Sequence, residues 1–279
     1  MKKLIFLFMT GLPFLSQAQQ MSCCQTPGAT ASFAMLASDK QFKSSHEEPL
    51  PFHYKSVAGT DITYPTADGK TAHAFVIKSQ KPTDNYVFVI HEWWGLNDYI
   101  KQESEKIYND LGNVNVIALD LYDNQIATTR EDAAKYMGAV NTERAKAIIE
   151  GAFKYVGPKA KIGTIGWCFG GGWSLQTSLL AGKQAAACVM YYGMPEKDIA
   201  RLMLLNTDVL CIYGSQDQWI TPKVIADFQA DMKSAGKKII VKEYNADHAF
   251  ANPSNPKFDK TATEDAYKHV MEFFKSRLK

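Results

Sequence analysis

An apolar run that ends in a cysteine flanked by glycines constrains this chain more than any other feature. Residues 161–172 read Lys-Ile-Gly-Thr-Ile-Gly-Trp-Cys-Phe-Gly-Gly-Gly. A strand that runs into this segment and a helix that leaves it would match the G-x-C-x-G nucleophile elbow, with Cys168 where serine usually stands. The flanking positions must lack side chains for the chain to bend so sharply. The turn would expose Sγ, and the helix start beneath it would favour a thiolate. The N–H of Phe169 would then be placed to bind an oxyanion. A phosphate-binding glycine loop fits less well, because the order is wrong for G-x-G-x-x-G and no acidic residue stands about 20 positions on. A buried cysteine beside a glycine-rich turn is the plainer alternative.

The rest of the chain supplies the frame such an elbow needs. Apolar runs at 86–92, 114–120, 161–166, 185–192, 208–213 and 238–243 read as buried strands. Segments 98–111, 130–140, 142–156, 222–234 and 263–277, and one after Gly171, carry apolar residues at helical spacing. Residues 53–58 and 72–78 read as two further strands joined by an Asp68-Gly69 turn. Strands alternating with helices predict an α/β fold, with a mostly parallel central sheet covered by helices on both faces. In such sheets, sites form at the carboxyl ends of the strands. With neither repeat nor later linker, residues 51–279 read as one domain.

The first 20 residues, MKKLIFLFMTGLPFLSQAQQ, have a short basic start, an apolar stretch of about a dozen residues and then small and polar residues. This predicts a signal peptide over residues 1–18, cleaved after Ala18, and export to the periplasm. A membrane anchor would need about 20 apolar residues, and Gly11 and Pro13 interrupt this run. A lipid anchor on Cys23 would want an apolar residue three positions before it, where Gln20 stands. Residues 19–50 read as a polar tail in which Phe33, Met35, Leu36 and Phe42 could dock a short helix.

The net charge of +2 includes Lys2 and Lys3, so the mature chain would be near neutral. That argues against nucleic acid or an anionic membrane as partner, since either needs clustered positive charge. Five cysteines in an exported chain leave at least one thiol unpaired or intermolecular. Cys188 and Cys211 sit in apolar runs and read as core. Cys23 and Cys24 with His46 could gather a metal, but their spacing matches no standard ligand pattern. Neither metal nor cofactor is therefore expected, and the protein reads as a monomer or small homo-oligomer.

An elbow of this kind takes its acid and then its histidine from farther along the chain. After Cys168 there are His248 and His269. His269 lies within the last helix and reads as surface or packing. His248 stands in Tyr-Asn-Ala-Asp-His-Ala-Phe, a loop after strand 238–243, where a base belongs. Asp217, in Gly-Ser-Gln-Asp-Gln-Trp after the preceding strand, is the acid to orient it. Asp247 is the rival, though a sequence neighbour is badly placed to orient the next imidazole. His91-Glu-Trp-Trp-Gly-Leu-Asn97 follows strand 86–90. No second histidine lies four residues after His91, so this is no zinc-protease helix. The N–H of Trp93 is the candidate second oxyanion donor, with Glu92 at the strand end pointing toward Cys168; an ordinary surface carboxylate is the alternative.

Together HEWWGLN (91–97), ALDLYDNQ (118–125), GWCFGG (166–171), YGSQDQWI (213–220) and ADHAF (246–250) resemble the dienelactone hydrolase family, a branch of the α/β-hydrolase fold. The pieces occur in family order, from about residue 52 to the end. The resemblance implies a Cys168–His248–Asp217 triad and a thioester acyl-enzyme on Cys168. It also implies that Glu92 holds the resting thiol and helps deprotonate it. The family's type enzymes grip a substrate carboxylate with two arginines; here Asn124 and Asn252 stand at those places. Asparagine cannot form a charged bidentate pair, which argues against dienelactone itself. Trp93, Trp94, Tyr122, Trp167 and Trp219 suggest a more neutral or aromatic small-molecule ester or lactone. Peptidase or acyltransferase chemistry on the same triad is the neighbouring reading, and an exported ligand-binding protein on the same fold is the non-enzymatic one.

Overall fold

The computed structural model describes residues 28–279. The expected signal peptide and Cys23-Cys24 lie outside the described residues. Three short helical pieces come first: α1 (Ala29–Ala34), a 3-10 turn (Met35–Ser38) and α2 (Lys40–Ser45). Asp39 opens α2 by accepting the Phe42 N–H at 2.8 Å. Phe33 and Phe42 point into the protein and are buried.

The eight strands are β1 (Gly59–Pro65), β2 (Thr71–Ile77), β3 (Asn85–Ile90), β4 (Asn115–Leu119), β5 (Lys161–Trp167), β6 (Ala185–Tyr191), β7 (Val209–Gly214) and β8 (Ile239–Tyr244). They form one sheet in the order β1-β2-β4-β3-β5-β6-β7-β8. From β4 through β8 neighbouring strands are parallel; β2 is antiparallel to both β1 and β4. This is the predicted α/β fold with a mostly parallel sheet.

The first strand corrects one expectation. Residues 53–58 are not a strand; β1 begins at Gly59. The Asp68-Gly69 turn, with Gly69 at φ 77, sets Pro65 opposite Thr71 and thereby Gly59 opposite Ile77, where β2 ends. Residues before Gly59 have no partner left to pair with.

Six longer helices flank the sheet: α3 (Asp98–Leu111), α4 (Arg130–Gly138), α5 (Thr142–Val156), α6 (Phe169–Ala181), and, after the single turn α7 (Ile199–Leu202), α8 (Pro222–Ser234) and α9 (Lys260–Arg277). Their starts follow from capping chemistry: Asn97, Thr129, Asn141, Thr221 and Asp259 each accept an N–H from the first turn. Helix α6 is buried along nearly its whole length, because it packs behind β3, β5 and β6. Cys188 and Cys211 are buried and unpaired in the core strands, as their apolar surroundings predict. Among the described residues, no helix is long and apolar enough to cross a membrane.

Candidate active site

Five neighbouring parallel strands deliver side chains to one end of the sheet. Strand β3 leads into His91-Glu92-Trp93, β5 into Cys168, β6 into Tyr192, β7 into Asp217 and β8 into His248. Residues far apart in sequence meet there because parallel strands align their carboxyl ends.

Cys168 sits between β5 and α6 at φ 55, ψ −117, a conformation that side chains other than glycine rarely adopt. Its N–H donates to Tyr191 O at 3.0 Å, and its own carbonyl accepts from Gly171 N–H at 3.0 Å. The glycines around it are forced by backbone approach. A Cβ on Gly166 would lie 2.1 Å from Gly170 O, and one on Gly170 would lie 2.3 Å from Ile90 O. The elbow can thus close only where side chains are absent.

Asp217 and His248 come together as their order in the chain suggests. Asp217 Oδ1 accepts N–H groups from Trp219 at 2.8 Å and Ile220 at 2.9 Å. Its Oδ2 faces His248 Nδ1 at 2.6 Å. A carboxylate can only accept here, so the proton is on Nδ1 and Nε2 points the other way. His248 Nε2 is buried with no hydrogen-bond partner among the described residues. A ring nitrogen of His248 lies within 4.8 Å of Cys168 Sγ. Asp247 does something else: it accepts the His248 backbone N–H at 2.7 Å and pairs with Lys257. His269 lies on α9 beside Asp265 and Glu272, outside this cluster.

Burial opposes charge throughout the cluster. It would raise the carboxyl of Asp217, but His248 and the N–H groups of Ile220 and Trp219 hold it below the usual value. It would lower His248, but Asp217 and the nearby Cys168 hold the imidazole well above its ordinary value. Burial pushes the Cys168 thiol up, with His248 and the Phe169 N–H pulling it back. Glu92 is 6% exposed, and burial raises its carboxyl to about 7 against the opposing effects of His248 and Asn252. Its Oε2 has no hydrogen-bond partner among the described residues.

Of the two expected oxyanion donors, the Phe169 N–H lies at the thiol. Phe169 opens α6, and Trp93 is fully buried just after β3. His91 braces the loop between them, Nδ1 donating to Glu92 O at 2.6 Å and Nε2 accepting Leu121 N–H at 3.1 Å. Asp120 then holds the following turn by accepting the N–H groups of Tyr122 and Asn124.

The expected substrate-binding residues divide. Asn252 is buried near Glu92, its Oδ1 accepting from Ser254 at 2.8 Å. Tyr122 is buried between His91 and Phe169, its hydroxyl unpartnered among the described residues. Trp219 lies 5.6 Å from His248, ring to ring. Trp94 is buried against Trp93. Asn124 instead stands exposed on a turn at φ 69. A cavity of about 230 Å³ runs from Glu92, Asn252 and Trp167 past Tyr191 and Ile100 toward Tyr99 and Tyr267.

Two residues that the sequence did not place beside Cys168, Phe42 as a docking residue and His46 as a candidate metal ligand with the tail cysteines, lie in the site, and both belong to α2 or its end. Phe42 is fully buried, its ring 5.4 Å from Trp93, 5.2 Å from Trp219 and 5.8 Å from His248. His46 is 2% exposed, with Nε2 3.9 Å from Cys168 Sγ. Burial and the neighbouring His248 drive its imidazole down to about 3, so it is neutral. A hydrogen bond from Gln41 to Gln218 fastens α2 to the Asp217 loop. Cys168 is consequently 0% exposed. The available signal was the four-residue spacing of Phe42 and His46, which puts both on one side of a helical turn. Tyr192 was also missed; its hydroxyl is buried without a partner among the described residues, near Glu92 and Cys168.

Comparison with known proteins agrees with this architecture. The family model for "Dienelactone hydrolase family" matches residues 72–278. "Protein usf" of Aquifex pyrophilus is 26% identical over 205 residues, spanning 69% of this chain and 88% of that protein. A carboxymethylenebutenolidase of a Pseudomonas species is 31% identical over 115 residues, 41% of this chain and 47% of that one. A dienelactone hydrolase-like promiscuous phosphotriesterase from metagenomic libraries superposes with a TM-score of 0.67 at 21% identity, covering 80% of this chain and 100% of that structure. With the family's model spanning the sheet from β2 to the last helix, the chain is an α/β-hydrolase belonging to the dienelactone hydrolase family.

Proposed function

We propose that the protein hydrolyses small, largely uncharged carboxylic esters or lactones through an acyl-enzyme on Cys168. The observation that carries this reading is the alignment of carboxylate, imidazole and thiol: Asp217 fixes the His248 ring at 2.6 Å, and His248 Nε2 is left without a partner near Sγ. His248 would take the thiol proton as Sγ attacks the carbonyl carbon, then return it to the leaving alkoxide. The N–H groups of Phe169 and Trp93 would receive the oxyanion. Water, deprotonated by His248, would then cleave the thioester and release the acid.

Glu92, poised near neutrality, fits a group that trades a proton during the cycle. Its predicted grip on the resting thiol has a competitor here, because His46 Nε2 also lies beside Sγ, at 3.9 Å. The substrate class is read from the cavity, where Trp167, Tyr191 and Ile100 stand beside Glu103 and Lys106 and no arginine is among the described residues that line it. Asn252, with its carbonyl engaged by Ser254, offers only an amide where a carboxylate-binding arginine would stand. A shift of α2 would open Cys168 to substrate, since the thiol is fully buried beneath His46 and its neighbours.

The test is hydrolysis of a panel of chromogenic esters by the wild type, by Cys168→Ala and by alkylated protein. An acyl adduct on Cys168 in intact-mass spectra, together with loss of turnover in a folded C168A protein, is expected. Near-normal turnover in folded C168A would sink the mechanism. Export to the periplasm after cleavage at Ala18, and a monomeric or small oligomeric state, complete the proposal and are read by signal-processing and sizing experiments.

A further inference from the structure

His46, Cys168 and His248 are all buried, and one nitrogen or sulfur atom from each lies within 4.8 Å of the others. Two of the three are oriented as metal ligands usually are. The Nδ1 of His46 faces Phe42 O at 2.7 Å, and a carbonyl can only accept. The proton is therefore on Nδ1, and the Nε2 lone pair faces Sγ at 3.9 Å. His248 is fixed the same way by Asp217, a carboxylate–histidine arrangement that in zinc proteins orients the ligand ring. Its Nε2 is buried with no hydrogen-bond partner among the described residues. The Nε2 atoms of both imidazoles thus face one thiol, and His248 would give up its Nε2 proton to solvent as a cation binds.

We propose that His46, Cys168 and His248 form a binding site for Zn²⁺, which would staple the α2 segment over the thiol. Two imidazoles and a thiolate suit a borderline-soft cation such as zinc better than Mg²⁺ or Ca²⁺. Tetrahedral zinc with Zn–S of about 2.3 Å and Zn–N of about 2.0 Å needs ligand atoms roughly 3.3–3.6 Å apart. The His46–Cys168 separation is already close to that, and the remaining approach is within reach of side-chain movement. Coordination replaces the S–H bond by a metal–sulfur bond, and the thiol proton passes to solvent. His46 lies 122 positions before Cys168 in sequence. The ion would therefore cross-link the leading segment to the sheet end. Inhibition of hydrolysis by zinc rests on the function proposed above; zinc binding does not.

The full chain, stripped of metal and kept reduced, is titrated with Zn²⁺ against a chromophoric chelator. One tight site is expected, weakened by about 100-fold or more in Cys168→Ser and in His46→Asn. Cys23→Ser/Cys24→Ser should keep it, and its loss there would assign the ion to the tail thiols and overturn the proposal. Should a variant fail to fold, Co²⁺ binding to the wild type decides: a thiolate-to-cobalt charge-transfer band with intense tetrahedral d–d absorption supports the site, and its absence overturns it. Ester assays on the metal-free, reduced samples before zinc is added separate the two readings. Zinc that binds to a protein without esterase activity supports the site and removes the hydrolase reading. Esterase activity with no stoichiometric zinc binding removes the site alone.

Discussion

His46 Nε2 stands 3.9 Å from Cys168 Sγ, so a residue of the leading segment is a direct polar neighbour of the thiol at the sheet end. The contact depends on Phe42, which fills the space among Trp93, Trp219 and His248. Access to the thiol is therefore governed by how firmly α2 is docked.

Phe42→Ala should release that segment. Removing a buried phenylalanine ring costs about 3–5 kcal/mol, and here the loss falls on local docking rather than on the sheet. Alkylation of Cys168, followed peptide by peptide in mass spectra, should then accelerate by about 100-fold to several thousand-fold, since each 1.4 kcal/mol is roughly tenfold. Cys188 and Cys211, buried in core strands, should stay unlabelled. Equal labelling rates in variant and wild type would show that α2 does not cover the thiol in solution.

Asp217→Asn should lower kcat by roughly 10³–10⁴, because the amide would favour the wrong His248 tautomer. Asp247→Ala should be far milder. Its carboxylate meets the His248 backbone and Lys257, not the imidazole. Steady-state kinetics on one ester decides between them, and a larger loss from the Asp247 change would reverse the assignment.

Glu92 sets a pH dependence of stability. Burial raises its folded-state carboxyl from 4.5 to about 7. A raised carboxyl contributes its full share below the unfolded value and loses it as pH climbs through the folded one. The wild type should therefore lose stability relative to Glu92→Gln between about pH 4.5 and 7, by roughly 3 kcal/mol in all. Thermal midpoints of both proteins at pH 4.5, 6 and 8 check this. A constant difference would mean that Glu92 ionises freely in the folded protein.

Gly166→Ala should destabilise the fold by about 3 kcal/mol or more, because the added Cβ meets backbone atoms that cannot step aside. Gly172→Ala is the control: its Cβ would meet Met194 O at 3.1 Å, a contact small shifts can relieve. Chemical denaturation of the two variants should separate them clearly, and equal midpoints would refute the close-packed elbow.

The sequence by itself determined the sheet and the elbow. Buried parallel strands must be short and apolar, helices must carry periodic apolar faces, and a glycine-flanked cysteine between the two leaves few turns open. Those are local rules, so Cys168, Asp217 and His248 could be named from their positions after successive strands. Residues 53–58 were misread because pairing depends on a partner: the hairpin register, set at Gly69, leaves β2 too short to pair with them. Tertiary structure alone decided what covers the thiol. Phe42 and His46 sit in a polar stretch with weak periodicity, and nothing local says where that stretch docks. Their position follows from shape, an apolar recess among Trp93, Trp219 and His248 that a phenylalanine ring fills. The raised carboxyl of Glu92 is likewise a product of burial, which chain order cannot express.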